Sequence, residues 1–134
     1  MNPSSKDICA LLAADSSLGL TFGEDLFAGK EPATPDDCVT IFDIPGDAPL
    51  LTLDGKDAAG AFYNPSIQVR ARNNDYLIGW ELIHDIQFFL HGLNDFTEGG
   101  ATYLLIKSVD EPALLDWDEN NRARFIATFS IQRR

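Results

Sequence analysis

An α+β fold, a mainly antiparallel sheet with two helices packed on one face, is what this sequence predicts, and three observations predict it. Residues 75–91 carry apolar side chains at helical spacing. Residues 38–44, 67–72 and 124–131 carry the β-branched, aromatic and alternating patterns of strands. These segments come in the order helix, strands, helix, strands, without the regular alternation of a parallel α/β protein.

Residues 5–14 predict the first helix. Ser4 or Ser5 stands where a cap is wanted, Asp7 lies in the first turn, and Ile8, Leu11 and Leu12 share one face. The stretch Ser16-Ser-Leu-Gly-Leu-Thr-Phe-Gly ends it, because two closely spaced glycines favour turns. Leu26-Phe-Ala-Gly-Lys predicts a short strand, and Cys38 to Ile44 a longer one. In the latter, Val39, Ile41 and Asp43 point one way and Thr40, Phe42 and Ile44 the other, so both faces need cover.

Between Pro45 and Pro65 the pattern fails, with three Gly and three Pro and strand character only at Leu50-Leu-Thr-Leu. The 134 residues therefore read as one domain, 1–134, with a long loop or arm at about 45–65. Its tip, Ala58 to Asn64, brings Phe62 and Tyr63 to a position where they either order against a neighbouring subunit or lie on a loose surface loop.

Further on, Ile67, Val69 and Ala71 alternate with Gln68, Arg70 and Arg72. Asn73 or Asn74 is placed to cap the helix of 75–91, and Gly92 to end it. Ala101 to Val109 predicts a strand with Leu104 and Ile106 on one face and Tyr103, Leu105 and Lys107 on the other. Arg124 to Ile131 predicts a last strand with Phe125, Ala127, Phe129 and Ile131 inward.

With 45% hydrophobic residues the chain can offset its ordering entropy. The N-terminus is polar and no apolar run approaches the roughly 20 residues of a membrane span, so a soluble protein made in a cytoplasm is expected. Cys9 and Cys38 then read as two reduced, buried thiols, with a single disulfide as the alternative. The net charge of −11 repels phosphate backbones and disfavours direct DNA binding.

No phosphate loop, nucleophile elbow or dinucleotide fingerprint occurs. His84 and His91 lie seven apart on one helix without a third ligand in step, so a metal site is not expected. Asp54-Gly-Lys-Asp57 lacks the rest of a calcium loop. Asp116 and Asp118 flank Trp117 as a glycosidase pair would, but Asp118-Glu-Asn-Asn-Arg reads as a solvated loop between strands. Neither a catalytic residue nor a cofactor is predicted.

The surfaces are more informative. On the long helix, Leu82, Ile83, Ile86, Phe89, Leu90 and Leu93 form the core face, whereas Leu77 and Phe88 fall in the polar arc and align as a strip for a partner. The alternative is cover by the first helix. On the strands, Arg70, Arg72, Lys107 and Arg124 gather four of ten basic residues on the outward face. Such a patch on an acidic molecule suits head-to-tail docking of copies, or else local salt bridges.

Several of these segments together resemble a family of small bacteriophage minor capsid proteins related to siphophage tail terminators. They are the N-terminal helix, Phe22-Gly-Glu-Asp-Leu-Phe-Ala-Gly-Lys-Glu-Pro, Pro35-Asp-Asp-Cys-Val-Thr-Ile-Phe-Asp, the Leu53-Asp-Gly turn, Pro65-Ser-Ile-Gln-Val-Arg-Ala-Arg, the helix through His91-Gly92-Leu93, and Asp118-Glu-Asn-Asn-Arg-Ala-Arg-Phe with its final strand. The Ala58-Ala-Gly-Ala tip departs from that pattern. The resemblance implies a virion protein of the head–tail junction, assembled in the host cytoplasm. It implies a hexameric ring that caps the tail tube, stops its polymerisation and offers a surface to head-completion or connector proteins. DNA would pass the lumen without specific binding, and the family has no catalytic motif. A head-completion or stopper protein is the nearest alternative, and a carboxylate-dependent hydrolase using Asp116 and Asp118 the distant one. The family pattern assigns no contact residues: Phe62, Tyr63, Arg70, Arg72, Leu77, Phe88, Lys107 and Arg124 come from the faces described above.

Overall fold

The computed structural model describes residues 1–50 and 62–134. Helix α1 (Ser4–Ala14) buries Ile8, Cys9 and Leu12. Its serines do not cap it. Asp43 of the second strand does so instead, accepting from the Ser5 amide at 3.0 Å and the Ser5 hydroxyl at 2.6 Å. A carboxylate at the positive end of a helix serves the same amides that a local cap would.

Strand β1 (Leu26–Ala28) runs parallel to β2 (Cys38–Leu50), which pairs antiparallel with β3 (Phe62–Asn73). The sequence pattern ended the second strand at Ile44; the ladder instead resumes past a register shift, with Asp47 opposite Asn64 and Leu50 opposite Phe62. Gly46 makes this possible, since a Cβ there would fall on the Asn64 carbonyl oxygen and crowd the Pro65 and Ser66 backbone. A bulge that carries Pro and Gly breaks the period-two signal, which is why the extension was hidden. The readings of Leu51 to Leu53, the Leu53-Asp-Gly turn, Asp54 to Asp57 and the Ala58 to Ala61 tip lie outside the described residues.

Helix α2 (Tyr76–Leu90) is capped by Asp75, not by an asparagine: its carboxylate accepts from the amides of Leu77 at 2.9 Å and Ile78 at 3.2 Å. Asn73 braces the cap by accepting from the Asp75 amide. Gly92, at φ +90°, ends the segment in the left-handed region as expected. Gly79 lets the helix approach Phe125, whose ring would lie 2.8 Å from a Cβ at that position.

Strands β4 (Asn94–Glu98), β5 (Ala101–Ser108), β6 (Ala113–Trp117) and β7 (Ala123–Arg133) complete a seven-stranded mixed sheet in the order β1-β2-β3-β7-β5-β4, with β6 beside β7. Strand β7 is the hub, with β3 along one edge and β5 and β6 in succession along the other. Its predicted alternation holds from Ala123 to Arg133. On β5 the expected facing is corrected: a register shift between Tyr103 and Leu105 turns both Tyr103 and Ile106 into the core, leaving Leu105 exposed. Strands β4 and β6 were not foreseen, being short and without clear alternation.

Inward residues of β2, β3, β5 and β7 meet Ile8 and Leu12 of α1 and Ile83, Ile86 and Leu90 of α2 in one core cluster. Burial of such side chains supplies about 1.5–3 kcal/mol each. Among the described residues no helix is long and apolar enough to cross a membrane.

Candidate assembly surfaces and the anchors behind them

Two polar networks, one buried and one partly buried, hold the segments that border the candidate surfaces. In the first, Asp7 of α1 is almost fully buried, and its Oδ2 accepts a 2.5 Å hydrogen bond from the Tyr103 hydroxyl. Arg133 donates to the same hydroxyl at 3.0 Å and to the Asn2 carbonyl at 3.0 Å, while its guanidinium lies 3.6 Å from the Asp7 carboxylate. Gly99, at φ +57°, leaves room for this carboxylate, since a Cβ there would collide with it. Asp7 is thus a structural charge and not merely a partner of the helix dipole.

Burial pushes the Tyr103 phenol up to about 12, aided by its bond to Asp7 and opposed by Arg133. The folded value exceeds the ordinary 10.0, so this group's contribution to stability is complete below pH 10.0 and is lost as pH rises through about 12. In an alkaline ultraviolet titration, Tyr103 is expected to ionise only near pH 12, together with loss of the fold. Ionisation of Tyr103 centred near pH 10.0, with the fold intact, would contradict the buried bond.

In the second network three arginines clamp the 31–37 segment to the end of the sheet. Arg72 donates to Glu31 at 3.1 Å, to the Pro35 carbonyl at 2.6 Å and to the Asp36 carbonyl at 3.1 Å. Arg122 donates to Asp118 at 2.7 Å, to Asp36 at 3.1 Å and to the Ala33 carbonyl at 2.8 Å. Arg124 grips Asp116 through two hydrogen bonds, at 2.6 and 2.5 Å, and lies 3.6 Å from Glu31.

This grip holds the Asp116 carboxyl below the usual carboxylate range. For Asp118, burial pushes upward, but the hydrogen bonds from Arg122 and Asn120 together prevail and hold it low as well. Both acids stay ionised and occupied, so neither suits the protonated role of a glycosidase acid. The Cys9 thiol is pushed up to about 12 by burial and by the charge of Asp43, which leaves it a protonated core group.

The histidines are used structurally. His84 places Nδ1 2.8 Å from the Trp80 carbonyl and stacks on the Trp80 ring at 3.7 Å, while His91 Nδ1 accepts from the Ser108 amide at 2.9 Å. No group of three metal-ligating side chains occurs among the described residues.

Of the four basic residues expected on the outward sheet face, the structure divides two from two. Arg72 and Arg124 are engaged in the clamp just described. Arg70 lies 5.0 Å over the Phe42 ring and donates to Gln68 at 2.8 Å; neither it nor Lys107 forms an ion pair among the described residues. Register places both on one face, since Lys107 is opposite Ser130, Ser130 opposite Ser66, and Arg70 four residues along from Ser66. Leu105, two residues before Lys107, is exposed beside it.

Leu77 and Phe88 are among the most exposed apolar side chains of the molecule, at 71% and 88%. Phe62 and Tyr63 open β3, half-buried and exposed respectively. Sequence reasoning missed six further exposed apolar side chains on α2 and β6: Tyr76, Ile78, Trp80, Leu114, Leu115 and Trp117. Tyr76 stacks on Trp117 at 6.3 Å, and Trp80 on α2 and Leu114 on β6 are exposed as well. Leu114 and Trp117 sit opposite Phe125 and Ala123, so they share the helix side of the sheet. Trp80 was legible: four residues before His84, it borders the same arc as Leu77 and Phe88.

A family model described as bacteriophage tail terminator protein matches residues 15–133. A chain of the virion of a native gene transfer agent particle is similar in structure, with TM-score 0.60 and 15% identity over 96% of this chain and 92% of that one. A second solved structure is similar at TM-score 0.55 and 12% identity, over 98% and 91%. At such identities the likeness speaks of fold alone. No curated protein matches in sequence.

Proposed function

The chain belongs to the bacteriophage tail terminator family, and from that premise we propose that it forms a ring, a hexamer, that closes the growing end of a siphophage tail tube. Membership makes it a structural tail protein and a virion component. The ring covers the last row of tube subunits and presents nothing that another subunit can extend. Its far side then receives head-completion or connector proteins at the head–tail junction. The action is steric, so no reacting group is required and we read the protein as non-enzymatic.

The family match over residues 15–133 is the observation that carries this reading. Its physical support is a rigid body with exposed contact groups. We take the two helices to cover one face of a mainly antiparallel sheet, leaving the other face free to meet neighbours. Leu77 and Phe88 on α2, Arg70 and Lys107 on the sheet, and Phe62 and Tyr63 at the arm serve as contacts to copies or tube. Arg72 and Arg124 serve indirectly, by holding the segment that borders the sheet face. The net charge of −11 lets DNA pass the lumen without adhering.

Particles assembled without this protein test the reading by electron microscopy. Tails of uncontrolled length lacking heads are the expected result. Normal-length free tails beside leaky heads would assign the chain to head completion instead and overturn the terminator role.

A further inference from the structure

The exposed apolar surface on α2 and β6 is larger than scattered single residues explain. Tyr76, Leu77, Trp80 and Phe88 project from the helix, and Leu114 and Trp117 extend the surface across the adjoining strand, joined to it by the Tyr76–Trp117 stack. Exposed apolar side chains gathered on one helix and a neighbouring strand in this way mark interaction sites. The first helix does not cover Leu77 or Phe88, which remain 71% and 88% exposed.

Charge decides what such a patch can meet. Glu81 and Asp85 lie exposed on α2 between Leu77 and Phe88, and α2 carries no lysine or arginine. Patch against patch across a two-fold axis would therefore bring carboxylates of both copies together, which costs affinity. The complementary surface is on the other side of the same molecule. There Arg70, stacked on Phe42, and Lys107, beside exposed Leu105, present cations among apolar groups and are not spent on ion pairs among the described residues.

We propose that the α2–β6 patch of one copy docks on the Arg70–Lys107 sheet face of the next. Each copy gives one surface and receives the other, so the contact is heterologous and continues from copy to copy until it closes. This rests on the ring reading and names the two surfaces that build the ring. Leu77, Trp80 and Phe88 enter the apolar ground around Phe42 and Leu105, while Glu81 and Asp85 approach Arg70 and Lys107.

Two variants test it, one spoiling each side: Leu77→Glu with Phe88→Glu, and Arg70→Glu with Lys107→Glu. All four side chains reach solvent, and matching thermal melts establish that both variants fold. By native mass spectrometry, each variant alone is expected to lose the higher-order species of the unaltered chain, with self-association weakened at least about tenfold. Mixed together, they are expected to form a one-to-one heterodimer and stop, because each retains the surface the other lacks. Rings that persist in both variants, or a mixture that fails to pair, would overturn this contact and leave the ring reading standing. An unaltered chain that stays monomeric at high concentration and on tail tubes would bring down the ring reading itself.

Discussion

Replacing Arg133 with methionine is expected to cost the folded chain about 3–5 kcal/mol, because it leaves the buried Asp7 carboxylate without its cation. The melting temperature should fall by roughly 10–20 °C. Arg133 reaches three groups at once, the Tyr103 hydroxyl, the Asn2 carbonyl and Asp7, so its loss also frees the start of the chain from the last strand. Urea unfolding measures the cost. A double variant, Arg133→Met with Asp7→Leu, should recover most of it, since an apolar pair of similar volume removes the stranded charge. If the single and double variants are equally unstable, the charge is not what matters there and packing is.

Arg72→Met should be the second large effect, about 2–4 kcal/mol, from the loss of charge-assisted bonds and the stranding of their acceptors. Arg72 is only 4% exposed and holds two backbone carbonyls besides Glu31. The expected signature is a lower urea midpoint at unchanged slope, with faster hydrogen exchange across residues 31–37. A residue acting only at a surface between copies would leave the stability of the separated chain unmoved. Arg70→Met supplies that contrast, since among the described residues Arg70 donates only to Gln68 and rests on Phe42.

The contrast between Arg70 and Arg72 also marks the limit of what a sequence shows. Alternation on β3 correctly set Ile67, Val69 and Ala71 inward, because burial of one sheet face imprints a period of two. The same pattern made Arg70 and Arg72 look alike. Their difference comes from the 31–37 segment folding over one of them, and nothing local records that. The core face of α2 was legible down to Ile83, Ile86 and Leu90, because a long helix repeats its message over four turns. The strand β6 was not, since its bulge between Leu114 and Asp116 breaks the period within five residues. Asp7 read as an ordinary first-turn acid. Its burial depends on Tyr103 and Arg133, which the chain brings near only when the sheet is complete. The likeness to tail terminators was legible in segments spread along the chain, and the family match spans residues 15–133.

The position of β7 at the middle of the sheet bears on how the protein is made. Pairs such as Ile67 with Phe129 and Ile106 with Ile131 cannot form until the final strand has left the ribosome. Until then β3 and β5 have no neighbour to join them, and such non-local pairing is slow to form. A chain whose β7 has yet to emerge therefore has no finished sheet face. Emergence of β7, more than any earlier step, sets when the sheet can be completed.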